Sequence, residues 1–486
     1  MSDALVGRFD ALLGDGIEAA VRFKHRRRLD RLGWGRVFSP DSPGVFAGGD
    51  PPPREGCRLE VLIDGANALP EIAQAISEAK HFVHITGWHL APSFALRRSG
   101  EADTPIGVLL AEIAEHVDVR VLVWSGAPVP VFHPTRKEVS AALDNLTRDT
   151  KIQAYGDPRE HPFHCHHEKT VVIDGELAFV GGIDLTDDSG DRFDHQAHRA
   201  RRGLGWHDVA TRIHGPAVAD VAAHFRVRWL ELTGEQLPVT PPPAPAGQTT
   251  VQVLRTVAEG MYEHFPKGVF RIFESYMRVL SSAQELIYLE NQFLWSPELV
   301  AVIAEKLRHP PSPDFRVVIL LPAKANNGAD DTQGQLSVLT EADNGQGRLL
   351  GVTIRSLSEH HDRADPLYVH AKVAVIDDRW LIVGSANLNA HSFFNDTEMC
   401  VVTDDARLAK ETRVRLWAEH LELDADQIAD QPPVTVVDEQ WRPVSHEQLG
   451  RMRAGDPPTH RLLELPGVSR RSRRLLGPLS GLIDDG

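Results

Sequence analysis

A nine-residue pattern occurs twice in this sequence of 486 residues. "HHEKTVVID" spans 166–174 and "VHAKVAVID" spans 369–377, and each contains a histidine, a spacer, a lysine, four further residues and an aspartate. One copy would arise by chance on the order of a few per cent of the time in a chain of this composition. Two copies, with His167 and His370 203 positions apart, predict that one structural unit occurs twice.

The sequence around the two copies repeats as well. Residues 67–90 and 268–295 are each typical of an amphipathic helix followed by a buried strand. Apolar strands are predicted further along at 119–124 and 315–321, and such continuous runs suit strands buried on both faces under covering helices. We therefore predict an α/β fold with two pseudo-twofold-related halves in one bilobal unit, each half a mixed, largely parallel sheet flanked by helices.

A proline-rich stretch, "LPVTPPPAPAGQ" at 237–248, separates the two copies. Its prolines disfavour both helix and central strand, so it is predicted to be a linker. The expected organisation is an N-terminal extension, a first half, a linker, a second half and a C-terminal extension, at residues 1–58, 59–236, 237–249, 250–425 and 426–486.

Both copies lead into a predicted hairpin that ends in small residues. Gly181-Gly182 and Gly384-Ser385 follow at matching positions, where backbone N–H groups can come close to an anion. Asp174 and Asp377 are counted with the catalytic residues as members of the pattern. Each sits at a predicted turn, however, and a structural role is favoured for it.

Two histidines and two lysines that converge would suit phosphoryl transfer. Lys169 and Lys372 can hold a phosphate group. One histidine can attack as a nucleophile while the other protonates the leaving oxygen and then activates water. His167 is the expected nucleophile, which leaves His370 as the general acid and base. Histidine titrates near neutrality, so both roles are accessible.

Further residues are assigned by their position after the small loops. Ser385 and Asn387 are expected to contact the phosphate, while Asp184 holds the place of Asn387 in the first half and cannot donate when ionised. Glu398 and Asp194 follow at near-equal offsets and are the candidates to orient the two histidines; Asp191 competes with Asp194.

"HPFHCHHEK" at 161–169 raises the alternative of a metal site. Only one half has this cluster, and a neighbouring lysine would repel a cation. A loop at the rim of a pocket is favoured, with Cys165 an incidental thiol. We expect no metal and no cofactor.

Charge and hydropathy limit the partners. The net charge of −16 argues against nucleic acid. Basic stretches at 24–31, 199–202 and 469–474 are interpreted first as solvated surface, with contact to an anionic membrane as the alternative. No apolar run reaches the ~18–20 residues of a spanning helix, no secretory signal is visible, and the three cysteines suggest no disulfide framework. The expectation is a cytoplasmic protein, with peripheral contact at the inner membrane surface left open.

The paired "HEKTVVID…GGID" and "HAKVAVID…GSAN" resemble the phospholipase D superfamily, and "YLENQFLW" at 288–295 and "GWHD" at 205–208 look like its phospholipase D branch. The resemblance covers roughly residues 59–425. It implies His167 and His370 as nucleophile and general acid/base, Lys169, Lys372 and Asn387 as phosphate ligands, and Glu398 as an orienting carboxylate. It implies a phospholipid substrate, head-group cleavage or exchange through a phosphohistidine, and no metal in the chemistry.

Three alternatives stay open at this point. A cardiolipin synthase-like phosphatidyltransferase would use the same site, and a nuclease or other phosphodiesterase would act on a different phosphodiester. A catalytically retired module would only bind phosphate or a lipid head group. Because one chain supplies both copies of the pattern, a monomer without an obligate protein partner is expected.

Overall fold

The structure of the chain, a computed structural model, describes most of the sequence. The described residues are 2–40, 42–97, 104–128, 133–160, 164–186, 190–191, 204–323, 329–358 and 364–465.

The elements before the proline-rich segment follow one another as helices and strands of an α/β fold. In chain order they are α1 (Ser2–Leu32), β1 (Arg54–Ile63), α2 (Gly65–Ser77), β2 (Phe82–Gly87), α3 (Ile106–Ile113), β3 (Asp118–Trp124), α4 (Arg136–Thr147), β4 (Gln153–Asp157), β5 (Thr170–Ile173), β6 (Leu177–Gly181), β7 (Gly190–Asp191), β8 (Leu204–His207), β9 (Val209–His214) and α5 (Val218–Thr233).

The elements after it repeat this alternation. They are β10 (Thr249–Val257), β11 (Val269–Phe270), α6 (Arg271–Ser282), β12 (Leu286–Glu290), α7 (Pro297–Arg308), β13 (Arg316–Leu320), α8 (Ala329–Asp343), β14 (Leu349–Leu357), β15 (Ala364–Val369), β16 (Val373–Ile376), β17 (Trp380–Gly384), α9 (Ala390–Phe394), β18 (Glu398–Thr403), α10 (Ala406–Leu421), α11 (Pro433–Val436), α12 (Arg442–Ala454) and β19 (Leu462–Glu464).

The two sheets share one strand order. In the first half the neighbours run β4-β3-β2-β5-β6-β9-β1, and in the second they run β14-β13-β12-β16-β17-β18-β10. In each sheet the first three strands are parallel and the remaining neighbours are antiparallel. Mixed sheets flanked by helices in two similar halves confirm the predicted fold class.

The core has three main apolar clusters. One lies on the helix-covered face of the first sheet, where α2 buries Leu69, Ile72 and Ile76 at helical spacing. Another covers the second sheet, where α6 buries its own apolar face. The third contains side chains of both sheets, including Val61 and Tyr288, and therefore joins the halves.

Two strand pairings also link the halves. β1 pairs with β10 in antiparallel register, and β8 runs parallel to β15, with Tyr368 opposite Trp206 and Val369 opposite His207. β15 and β8 lead directly into His370 and Asp208. The contact between the halves therefore positions the site.

The segments outside the predicted halves also join the fold. Leu29, Val37 and Phe38 of the N-terminal segment lie in the apolar cluster of the second half. On the other side, β19 adds to the edge of the second sheet by pairing with β14. β10 begins at Thr249, the last residue of the predicted linker. The domain boundaries themselves stay predictions.

The predicted strands near the two patterns are confirmed as β2, β3, β12 and β13, and the hairpins as β5–β6 and β16–β17. Across the part of the chain that the structure describes, no helix combines the length and apolar character needed to cross a bilayer. Of the three basic stretches, the one at 24–31 lies on α1. The other two, at 199–202 and 469–474, lie outside the described residues.

Candidate active site

The two pattern histidines lie together at the contact between the halves. The ring centroids of His167 and His370 are 6.3 Å apart, and both side chains are almost fully buried. The backbone N–H groups of His167 and Glu168 donate to the carbonyl of Thr397, and those of His370 and Ala371 donate to the carbonyl of His207. Each half thus holds the histidine loop of the other with the same pair of backbone bonds.

Each histidine also contacts a carboxylate from the opposite half. His167 Nδ1 lies 3.0 Å from Glu398 Oε1, and His370 Nδ1 lies 2.6 Å from Asp208 Oδ2. A carboxylate at Nδ1 fixes the tautomer and leaves Nε2 for chemistry. The contact of Glu398 agrees with its predicted role.

Asp208 takes the place that had been expected for Asp194. Asp194 lies outside the described residues, as does the side chain of Asp191. The register explains why the offset misled: Gly181 pairs with Ala210 and Gly384 with Cys400, so the residues two positions earlier, Asp208 and Glu398, are equivalent. The first half has 13 more residues between its small loop and its carboxylate. The equivalent carboxylate, Asp208, is the last residue of the stretch "GWHD".

The electrostatics of Glu398 favour its charged form. Burial alone would raise the pKa of Glu398, but His167, Lys169 and Ser385 outweigh that effect and hold the pKa below its usual value. The hydroxyls of Ser385 and Ser392 both donate to this carboxylate. Ser385 therefore helps to position Glu398 through its hydroxyl, and its assignment as a phosphate ligand stays a prediction.

The two lysines have different surroundings. Lys169 Nζ lies 3.0 Å from Asp184 Oδ2, whereas Lys372 Nζ lies 3.4 Å from the amide oxygen Oε1 of Gln292. Both ammonium groups also donate to the carbonyl of their own pattern histidine. Asp184, the counterpart of Asn387, thus lies beside the first lysine and offsets its positive charge.

Asn387 has the features of a ligand-binding amide. The residue is fully buried, and within the described parts of the chain neither Oδ1 nor Nδ2 has a hydrogen-bond partner. A buried amide without partners costs free energy, on the order of 1–3 kcal/mol, unless a ligand satisfies it. Its backbone N–H is fixed by Ser392 Oγ at 3.0 Å.

The pattern aspartates are structural. Asp174 accepts three backbone N–H groups, from residues 80–82, and Asp377 accepts three, from residues 284–286. Both have a positive φ, 54° and 55°, at the hairpin turn. Each joins its hairpin to the start of a neighbouring strand, as the turn position favoured, and the assignment of either as catalytic stays a prediction.

Two buried charge networks support the loops. His207 bridges Asp64 Oδ1 at 2.9 Å and Glu290 Oε2 at 2.8 Å, and His420 lies 3.0 Å from Glu290 Oε1. Burial would lower the pKa of His207, yet Glu290 and Asp64 raise it well above its ordinary value. In the sequence, Glu290 and His207 stood out only as members of "YLENQFLW" and "GWHD", with no role predicted for either.

The second network lies behind His167. Glu168 accepts from Arg228 Nη1 at 2.5 Å and contacts His224 Nε2 at 2.6 Å, and Asp157 accepts from Arg228 Nη2 and from Tyr262. Every member is almost fully buried, so the charges are compensated inside the protein rather than by water.

Two like halves with exchanged histidine–carboxylate contacts define a class of duplicated α/β proteins with one composite site. Comparisons with known proteins agree. A "Phospholipase D" family model matches residues 75–205, and a "Cardiolipin synthase, PLD-like domain" model matches 276–419. The chain belongs to the phospholipase D superfamily.

Curated relatives and a solved structure support this membership. Phospholipase D A of Dictyostelium discoideum is 27% identical over 76% of this chain and 36% of its own length. Phospholipase D alpha 4 of Arabidopsis thaliana is 22% identical over 87% and 75%, and Phospholipase D2 of Bos taurus 24% over 74% and 50%. This chain thus spans about a third to three quarters of these relatives. A phosphatidylserine synthase structure from Haemophilus influenzae shares the fold, with 16% identity, a TM-score of 0.52 and coverage of 87% of this chain and 99% of its own.

Proposed function

We propose that this protein is a phosphodiesterase of the phospholipase D type, which cleaves or exchanges the head group of a phospholipid through a phosphohistidine intermediate. The observation that carries the proposal is the reciprocal pairing of His167 with Glu398 and His370 with Asp208. Both imidazoles have a carboxylate at Nδ1, so both can use Nε2 on a substrate between them.

The first step forms and breaks one bond at phosphorus. Nε2 of His167 attacks the phosphorus, the bond to the head-group oxygen breaks, and His370 gives its proton to that oxygen. Glu398 favours the attacking imidazole by stabilising the positive charge that it gains. Lys169, Lys372 and Asn387 hold the non-bridging oxygens, where negative charge increases.

The second step restores the histidines. His370, now neutral, removes a proton from water, the water oxygen attacks phosphorus, and the bond to His167 breaks. The products are phosphatidic acid and the free head group. An alcohol in place of water gives a new phospholipid by the same path.

Product analysis tests the proposal. The full chain is incubated with vesicles of mixed phospholipids, with and without a primary alcohol, in the presence of a chelator. We expect phosphatidic acid, and the phosphatidyl alcohol when alcohol is present. His167→Ala and His370→Ala should each abolish both products, while His309→Ala, at an exposed position, should leave them unchanged.

A folded wild-type chain that leaves every lipid intact would refute the proposal. Turnover of phosphatidylglycerol into a diphosphatidyl lipid would instead identify the phosphatidyltransferase. Cleavage of single-stranded nucleic acid would identify a nuclease. Phosphate binding without an acid-labile phosphoenzyme would identify a retired site.

We also propose peripheral membrane contact through α1. Lys24, Arg26 and Arg27 are exposed on this helix, and Phe23 is 65% exposed beside them. Cations with an apolar side chain between them suit an anionic lipid surface. Vesicle sedimentation should show binding that falls with salt and with the triple change of these cations to glutamine.

A further inference from the structure

A cluster of metal-ligand side chains lies next to the site and is built from both halves. His164 precedes the first pattern, while His391 lies in α9 and Asp396 follows the end of α9 in the second half. His164 Nδ1 lies 2.9 Å from His391 Nδ1 and 3.4 Å from Asp396 Oδ1, and one ligand atom from each residue lies within 4.8 Å of the other two. These atoms converge on one point.

The separations fit a zinc ion. Two ligands at 2.0–2.1 Å from a tetrahedral ion are about 3.3 Å apart, and the observed 2.9 and 3.4 Å lie on either side of that value. The two imidazole rings have centroids 4.7 Å apart at 56°, and their Nδ1 atoms face each other at 2.9 Å. Two imidazoles and a carboxylate suit Zn²⁺ and leave a fourth position for water.

The site is also buried enough to hold the ion. Asp396 and His391 are each 1% exposed, and the side chain of His164 is 10% exposed. A bound cation would stabilise the buried charge of this carboxylate. The two facing Nδ1 atoms can share one proton in a hydrogen bond when no ion is bound, and both can donate a lone pair to a cation.

Among the described residues, two other clusters of histidines and carboxylates do not have the features of a metal site. Both contain His207, and the two ring nitrogens of His207 already contact carboxylates at 2.9 and 2.8 Å. The raised pKa of His207 gives these carboxylates their positive partner. They form a charge network, and no ion is needed there.

We propose that His164, His391 and Asp396 bind one divalent transition-metal ion, Zn²⁺, that joins the two halves beside the reactive site and takes no part in the chemistry. The sequence had argued against a metal because one half alone carried a histidine cluster; the fold supplies the missing ligands from the other half. The neighbouring lysine objection also weakens, because Lys169 is paired with Asp184.

The ion would act on the loops that hold His167. Cys165 N donates to Asp396 Oδ1 at 3.0 Å, Thr397 N donates to Cys165 O at 3.1 Å, and His167 N donates to Thr397 O at 2.9 Å. Zinc would link Asp396, at the outer end of this series of hydrogen bonds, to His164 and His391. It would restrict separation of the segment before His167 from the segment before Glu398.

Metal binding is measured directly on the full chain, produced with a tag that contains no histidine and stripped with a chelator. We expect one Zn²⁺ per chain, a rise in Tm on adding zinc, and visible absorption bands of tetrahedral Co²⁺ when cobalt replaces zinc. His391→Ala and Asp396→Asn should each weaken zinc binding by about 100-fold, and His309→Ala should not change it.

Folding and activity are separated from binding. The metal-free Tm of each variant shows whether it folds, and Asp396→Asn keeps an acceptor for Cys165 N–H if His391→Ala does not fold. A wild-type chain that binds less than about 0.2 Zn²⁺ at micromolar metal, or variants that bind as tightly as wild type, would overturn the proposal. Because the readout is binding, lack of phospholipid turnover does not affect it.

Discussion

His370 Nδ1 lies 2.6 Å from Asp208 Oδ2, and the two residues come from opposite halves of the chain. Asp208→Asn should lower kcat about 10²–10⁴-fold, because the amide can no longer fix the tautomer or stabilise the imidazolium. Glu398→Gln should have a similar effect through His167. Steady-state phosphatidic acid formation measures this, with the exposed Asp430→Asn as control. A kcat within about threefold of wild type would remove Asp208 from the mechanism.

Asn387→Ala should reduce kcat about 10–10³-fold with little change in stability, because its buried amide lacks a protein partner among the described residues and is proposed to bind the phosphate. Asn387→Asp should be worse, since a carboxylate repels the phosphoryl oxygens. Kinetics and thermal melts would be compared with Asn145→Ala, an exposed position on α4. Loss of folding rather than of turnover would indicate that the amide is structural.

Asp174→Ala and Asp377→Ala should lower stability rather than chemistry. Each removes the acceptor for three backbone N–H groups and an aspartate suited to positive φ. We expect a loss of about 1–3 kcal/mol in the free energy of unfolding by urea, and kcat per folded molecule within about twofold of wild type. The asparagine variants keep one acceptor and should lose less. A stable but inactive Asp377→Ala protein would contradict this role.

His207 and His420 should give the protein opposite pH dependences. The pKa of His207 is raised above 6.5, so its stabilisation is complete below pH 6.5 and is lost as pH rises through the folded pKa. Burial lowers the pKa of His420 below 6.5 despite Glu290, so it favours the folded state above pH 6.5 and loses that effect on acidification.

Unfolding by urea from pH 5 to 9 tests this pair. The stability difference between wild type and His207→Gln should shrink as pH rises, and that between wild type and His420→Gln should shrink as pH falls. Parallel curves for the two variants would show that the buried network does not hold His207 in its charged form.

Much of the fold and the central site could be predicted from the sequence, because duplication makes each half a check on the other. Apolar periodicity indicated β2 and β12, the Asp-Gly turn at 174–175 indicated the β5–β6 hairpin, and the repeated outline indicated the β16–β17 hairpin. Glu398 could be found because the connection from Gly384 is short, and Glu398 lies only 14 positions further along the chain. The longer connection before Asp208 hid the equivalent residue, since sheet register, not chain offset, determines equivalence.

The sequence also cannot show which hydrogen bonds a side chain already makes inside the protein. Ser385 and Asn387 occupy the same small loop, yet the hydroxyl donates to Glu398 while the amide has no protein partner among the described residues. The sequence likewise could not show that His164 contacts His391, because the two residues are 227 positions apart and meet only where the halves associate.

The crossed contacts of His167 with Glu398 and His370 with Asp208 have a consequence for how activity could be lost or gained. Neither half supplies the carboxylate that contacts its own pattern histidine, so separation of the halves would remove both contacts in one event. If the proposed mechanism holds, the strength of the association between the halves would therefore set the fraction of molecules that are active rather than the rate of each one.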